Sequence, residues 1–150
     1  MNYELFMRAA LAEAAQAAAA GERADGAVAV LDEAMVAHGR GAMVETGDPT
    51  AHATLIAVRE AARRLRRQSL AGMTVFSVVE PCAMCTGALL QADADGVVFA
   101  LPDRAAAACT AIVRLAEQQA VPRRLNVVSG ILQEEAAELR PDLLAQASSE

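Results

Sequence analysis

Two hydrophobic periods alternate along this chain. Residues 2–20 are alanine-rich and read as a helix, since alanine is the strongest helix former; Gly21 is a natural residue to follow its end. Gly26–Leu31 (GAVAVL) predicts a buried strand, Asp32 and Glu33 a turn, and 34–38 a second short strand. Residues 39–49 hold three glycines and predict a loop, after which Pro49 or Thr50 opens a helix. In that helix Leu55, Val58, Ala62 and Leu65 follow spacings of 3, 4 and 3, which is one helical stripe. Thr74–Val79 predicts a β-branched strand, Pro81-Cys82 the start of a helix reaching about Ala92, and 96–100 another strand. A helix over 103–119, a strand over 125–129 and a terminal helix over 131–146 complete the pattern.

The order α-β-β-α-β-α-β-α-β-α predicts an α/β fold of three layers. A mixed five-stranded sheet, mostly parallel with an antiparallel hairpin at its start, lies between helices on both faces. The chain reads as one domain, 1–150, without repeats or a linker. In such sheets ligands collect beyond the carboxyl ends of the strands. The helices beginning near His52 and near Cys82 each follow a strand and start on that edge.

Composition narrows the function. Of the 150 residues 55% are apolar, yet no apolar window is long enough to cross a bilayer. The start, MNYELFMR, lacks a basic segment followed by an apolar core, so the expected location is the cytoplasm and no membrane partner is expected. A net charge of −6 argues against a general nucleic-acid binder. All 13 cationic side chains are arginine, which removes phosphate-loop and Schiff-base lysines. Three cysteines disfavour a disulfide framework, and there are two histidines. Tyr3, Phe6, Phe76 and Phe99 are the only aromatic residues, so few rings exist to stack a flat ligand.

One cluster carries chemistry. Cys82 and Cys85 stand three residues apart in the first turn of a helix, where free N–H groups and the helix dipole favour thiolate, the metal-binding form. His52 opens the other helix on the same edge. One His and two Cys leave a fourth tetrahedral position for water, the arrangement of a catalytic zinc site. A lone C-x-x-C is a weak signal, equally a redox pair or two small core residues, and a lone His at a helix start is usually a cap or a packed side chain. Both bland readings lose weight when GDPTAHA (47–53) and VEPCAMC (79–85) occur together.

With Gly21-Glu22 and the extended block EPCAMCTGAL (80–89), these motifs resemble the zinc-dependent cytidine/deoxycytidylate deaminase superfamily. The likeness spans about residues 3–145 and is greatest to the branch of tRNA adenosine, guanine and bacterial nucleoside deaminases. The resemblance implies a cytidine-deaminase-like fold and one Zn2+ per chain on His52, Cys82 and Cys85. It also implies backbone near Ala53 and Glu80 lining a substrate pocket, a nucleobase-like small-molecule substrate, and a homodimer. The apolar helix after Cys82 (Met84, Ala88, Leu89, Leu90) offers more apolar surface than one sheet face needs.

Two positions depart from the family. Its signature is H-x-E…P-C-x-x-C, and the Glu carries protons between zinc-bound water, the ring and the leaving amine. Here Thr54 stands in that place, and a hydroxyl has no accessible ionisation near neutral pH. The family's substrate-holding Asn after the second strand is replaced by Gly41, and residues 34–48 contain no Asn. Three readings of these departures compete. Thr54 as an engineered inactivation leaves Gly41 unexplained. A catalytically silent relative would keep the zinc site for binding a ligand or partner. An altered zinc-assisted hydrolase would use a carboxylate from elsewhere in the chain. Glu45, Asp48, Glu80 and Asp103 are the candidates for it, Glu80 and Asp48 also reading as loop braces. Asp103 ranks first because it follows a strand on the productive edge, where it can also touch substrate.

The remaining polar residues read as ordinary. His38 is a strand-end or surface residue, Cys109 a small core residue, and Tyr3 and the six methionines packing groups. Arg63, Arg64, Arg66 and Arg67 lie at a helix C-terminus, where cations complement the dipole.

Overall fold

The computed structural model describes residues 1–103 and 125–148. The described elements are α1 (Tyr3–Ala19), β1 (Gly26–Leu31), β2 (Ala34–Arg40), α2 (Met43–Thr46), α3 (Ala53–Leu65), β3 (Thr74–Val79), α4 (Ala83–Gln91), β4 (Gly96–Leu101), β5 (Asn126–Ser129), α5 (Gln133–Leu139) and α6 (Pro141–Ser148). The helix expected over 103–119 falls almost wholly outside the described residues, and Cys109 lies outside them too.

The strands form one sheet in the order β2-β1-β3-β4-β5. β3, β4 and β5 are parallel neighbours. β1 runs antiparallel to β2 and also to β3, so the sheet is mixed as expected, and its antiparallel part extends beyond the first hairpin to the β1–β3 pairing. Successive side chains of a strand face opposite ways. Ala27, Ala29, Val75, Val97 and Phe99 pack with Ala57 and Ala61 of α3 and Leu89 of α4. Val28, Val30, Phe76, Val78 and Val98 pack on the other face with Phe6, Met7 and Ala10 of α1 and Ala136 of α5. This is the expected three-layer fold with two cores. The β1–β2 turn places Asp32 and Glu33 at φ 52° and 62°, the left-handed pair whose twist suits a two-residue hairpin.

Several boundaries differ from the sequence pattern, each for a local reason. β2 continues past residue 38 to Arg40, because Gly39 and Arg40 still pair with Ala27 and Gly26. The segment 39–49, expected as loop, contains α2. The Glu22 carboxylate accepts hydrogen bonds from the backbone N–H groups of Val44 (2.9 Å) and Glu45 (2.8 Å), binding two free donors of that short turn. α3 begins at Ala53, not at residue 49 or 50. Asp48 holds the Thr50 backbone N–H and hydroxyl at 2.8 and 2.7 Å, a local turn that competes with helix. The helix expected over 131–146 is two helices, because Arg140 precedes Pro141 and leaves the helical region at φ −130°, ψ 64°. Leu89 is fully buried in the sheet-facing core rather than on the outer face of α4, while Met84 is exposed.

Candidate metal centre and pocket

Strand direction decides what meets at the sheet edge. β2 and β3 both run antiparallel to β1, with Gly26 opposite Arg40 and Ala27 opposite Ser77. The start of β1 therefore lies beside the ends of β2 and β3, and on the same edge as the end of β4, parallel to β3. Asp25, Gly41, Glu80 and Asp103 are thereby gathered around one cavity of about 90 Å3, with His52, Thr54, Cys82, Cys85 and Arg140.

His52 and Cys82 are the N-cap residues of α3 and α4, and neither spends its side chain on capping. The His52 Nδ1 lies 3.5 Å from Cys82 Sγ and 3.7 Å from Cys85 Sγ. Tetrahedral zinc with Zn–S near 2.3 Å and Zn–N near 2.0–2.1 Å separates N and S by about 3.5 Å. The three donor atoms lie within 4.8 Å of one another, the only such group among the described residues. Donor type and spacing both fit zinc. Without metal, Cys82 is lowered to about 5, because the Cys85 thiol donates to its sulfur and the Cys85 and Met84 N–H groups and His52 add to the effect. Cys85 is pushed up, by holding the shared proton and by burial. Bound zinc would replace that proton, holding both sulfurs as thiolates.

Thr54 is buried, 3% exposed, and faces the cavity. Gly41 also lines it. Glu80 and Asp103 line it too, but the Glu80 carboxylate accepts a hydrogen bond from the Asp103 backbone N–H at 2.9 Å, which braces the loop after β4. Ala53, expected at the pocket wall, is fully buried and not among the lining residues. Glu45 is exposed away from the cavity, and Asp48 is occupied by Thr50. His38 faces Glu13 at 3.4 Å, and Arg63 and Arg64 pair with Glu60.

Among the residues of the cavity wall that the sequence pattern does not single out are Asp25 and Arg140. Asp25 Oδ2 accepts a hydrogen bond from the Ala53 N–H at 3.4 Å. Its side chain is partly open to the cavity, and loss of hydration raises its pKa against the opposing pull of the Ala53 N–H, His52 and Arg140. Arg140 grips Asp142 through two hydrogen bonds of 3.0 and 2.9 Å, which hold its guanidinium in place beside the cavity. The one sequence signal for Asp25 is an aspartate directly before a strand, and it acquires meaning only once β1 is known to run opposite to β3.

Residues 1–101 match the family model for the cytidine and deoxycytidylate deaminase zinc-binding region. The chain is 32% identical over 126 residues to a tRNA-specific adenosine deaminase of Aquifex aeolicus, covering 84% of this chain and 83% of the relative. It is 37% identical over 101 residues to a guanine deaminase of Bacillus subtilis, covering 67% and 65%. A structure solved in studies of A-to-I editing by tRNA:A34 deaminases superposes with a TM-score of 0.84 at 33% identity, covering 89% of this chain and 97% of that one. The chain spans only 9% of the length of one further relative, a chloroplastic tRNA(adenine(34)) deaminase of Arabidopsis thaliana, 42% identical over 112 residues.

Proposed function

Because the chain belongs to the cytidine and deoxycytidylate deaminase zinc-binding family, we propose that it is a zinc-dependent aminohydrolase that removes the amino group of a nucleobase or related amidine. The observation that carries this reading is the placement of His52, Cys82 and Cys85 at tetrahedral spacing beside a cavity. When bound there, zinc makes water acidic enough to serve as a nucleophile near neutral pH. His52, Cys82 and Cys85 hold the metal. Thr54 occupies the place of the family's proton-carrying Glu, and Gly41 that of its substrate-holding Asn.

A small base or nucleoside suits the compact cavity. Net charge argues against RNA, but the relatives named for tRNA support its inclusion as a substrate. A homodimer is part of the same proposal, with the exposed Ala83, Met84 and Gly87 of α4 as its surface. A second reading, a zinc-binding protein without turnover, is favoured by Thr54 alone.

The test is ammonia release from a panel of adenine, guanine and cytosine compounds and an adenosine-34 tRNA stem-loop, with native chain and Thr54→Glu. Slow native turnover that rises in Thr54→Glu supports the enzyme reading. Zinc bound at one per chain with no ammonia from either form supports the silent reading.

A further inference from the structure

We propose that Asp25 supplies the proton-carrying carboxylate of this site, from the start of β1 instead of from α3. This role rests on the aminohydrolase reading above. Three observations support it. Thr54 leaves the cavity without a carboxylate on the helix that follows His52. Asp25 lines the same cavity, and its Oδ2 is anchored on the Ala53 N–H, one residue from His52 and one from Thr54. Of the other acidic residues in the pocket wall, Glu22 accepts the Val44 and Glu45 N–H groups and Glu80 accepts the Asp103 N–H, while the Asp25 carboxylate is held at the start of the helix that carries Thr54.

Asp25 is also outside the ligand group, since that group consists of His52, Cys82 and Cys85. A proton carrier belongs there, beside the ligands and not among them.

The step balances as a hydrolysis. The water oxygen bonds to the ring carbon bearing the amine, and the C=N π electrons move to the ring nitrogen. One water proton passes through the Asp25 carboxylate to that nitrogen. The second passes by the same oxygen to the amine. The C–N bond breaks with its electron pair on nitrogen, ammonia departs, and the carbon keeps a carbonyl. Asp25 ends as the carboxylate it began as, and no oxidant or reductant is needed.

The test uses Asp25→Asn, which keeps an acceptor for the Ala53 N–H but cannot take a proton, and Asp25→Asn with Thr54→Glu. Three readouts are taken on the zinc-loaded protein: ammonia release over the panel above, zinc per chain by metal analysis, and the ultraviolet shift of a purine lacking the amino group, which adds water at the same carbon but has no amine to lose. Asp25→Asn is expected to lose about 10²- to 10⁴-fold in turnover. It is expected to retain its zinc and lose the hydration shift, and the double variant to regain both turnover and shift. Turnover and hydration by Asp25→Asn equal to native overturn the proposal. So does loss of zinc in Asp25→Asn, which makes the residue a support of the metal. A silent native chain beside an active Thr54→Glu overturns the role of Asp25 while leaving the aminohydrolase site standing. Silence and no hydration in every form overturn both.

Discussion

Gly39 of β2 lies directly under Ala53 of α3: a Cβ on Gly39 would sit 2.2 Å from the Ala53 carbonyl oxygen and 2.8 Å from the Ala57 nitrogen. Both obstacles are backbone, so they cannot swing aside. Gly39→Ala must push α3 off the sheet, and α3 carries His52 at its start. Overpacking of this kind costs about 1–3 kcal/mol, or roughly 2–4 °C of melting temperature per kcal/mol at this length. Gly41→Ala is the control, since its nearest new contact is an ordinary 3.7 Å. Thermal melts of the two variants should separate clearly; equal melts would show that α3 does not need this close approach.

Cys82→Ala and Cys85→Ala should each lose zinc. Each leaves only two of the three donors that lie within 4.8 Å. Metal analysis of the purified variants checks this, and full zinc in both would sink the ligand assignment. Chelation of the native protein should also lower its melting temperature, because zinc binds the folded state preferentially.

Glu80→Ala should destabilise the pocket wall without changing its metal donors. Glu80 is 3% exposed and receives the Asp103 N–H at 2.9 Å. Removing an acceptor from a shielded donor costs about 1–3 kcal/mol. The expected result is a lower melting temperature with zinc content unchanged.

The Arg140–Asp142 pair should make a small, pH-dependent contribution. The Asp142 carboxyl is lowered from its ordinary 3.8 by the two hydrogen bonds from Arg140. A lowered folded value stabilises above 3.8 and is lost as pH falls through the folded value. Asp142 is 59% exposed, so screening limits the effect to at most about 1 kcal/mol. Asp142→Asn should be slightly less stable than native at pH 7, and the difference should vanish on acidification below the lowered value. A constant difference across that range would contradict the assignment.

Much of the chemistry is legible in the chain alone. The β-rich runs GAVAVL and TVFSVV mark strands buried on both faces, because side chains project oppositely at each step and every position is apolar or small. His52 and the Cys82–Cys85 pair are recognisable because helix starts present their donors in short, local spacings. Thr54 is visible for the same reason: it sits two residues from His52, and no folding is needed to see what it lacks.

Local pattern cannot place Asp25. Its position depends on β1 running antiparallel to β3, which puts the residue before β1 beside the residues after β3. Strand direction is a property of pairing between segments nearly 50 residues apart, and period-2 alternation is the same whichever way a strand runs. Asp103 stands out in the sequence because it follows a strand, and strand ends meet the productive edge of a parallel sheet. That holds for β2, β3 and β4. It is reversed for β1, where the same edge is reached at the start of the strand, and only the folded sheet brings Asp25 there.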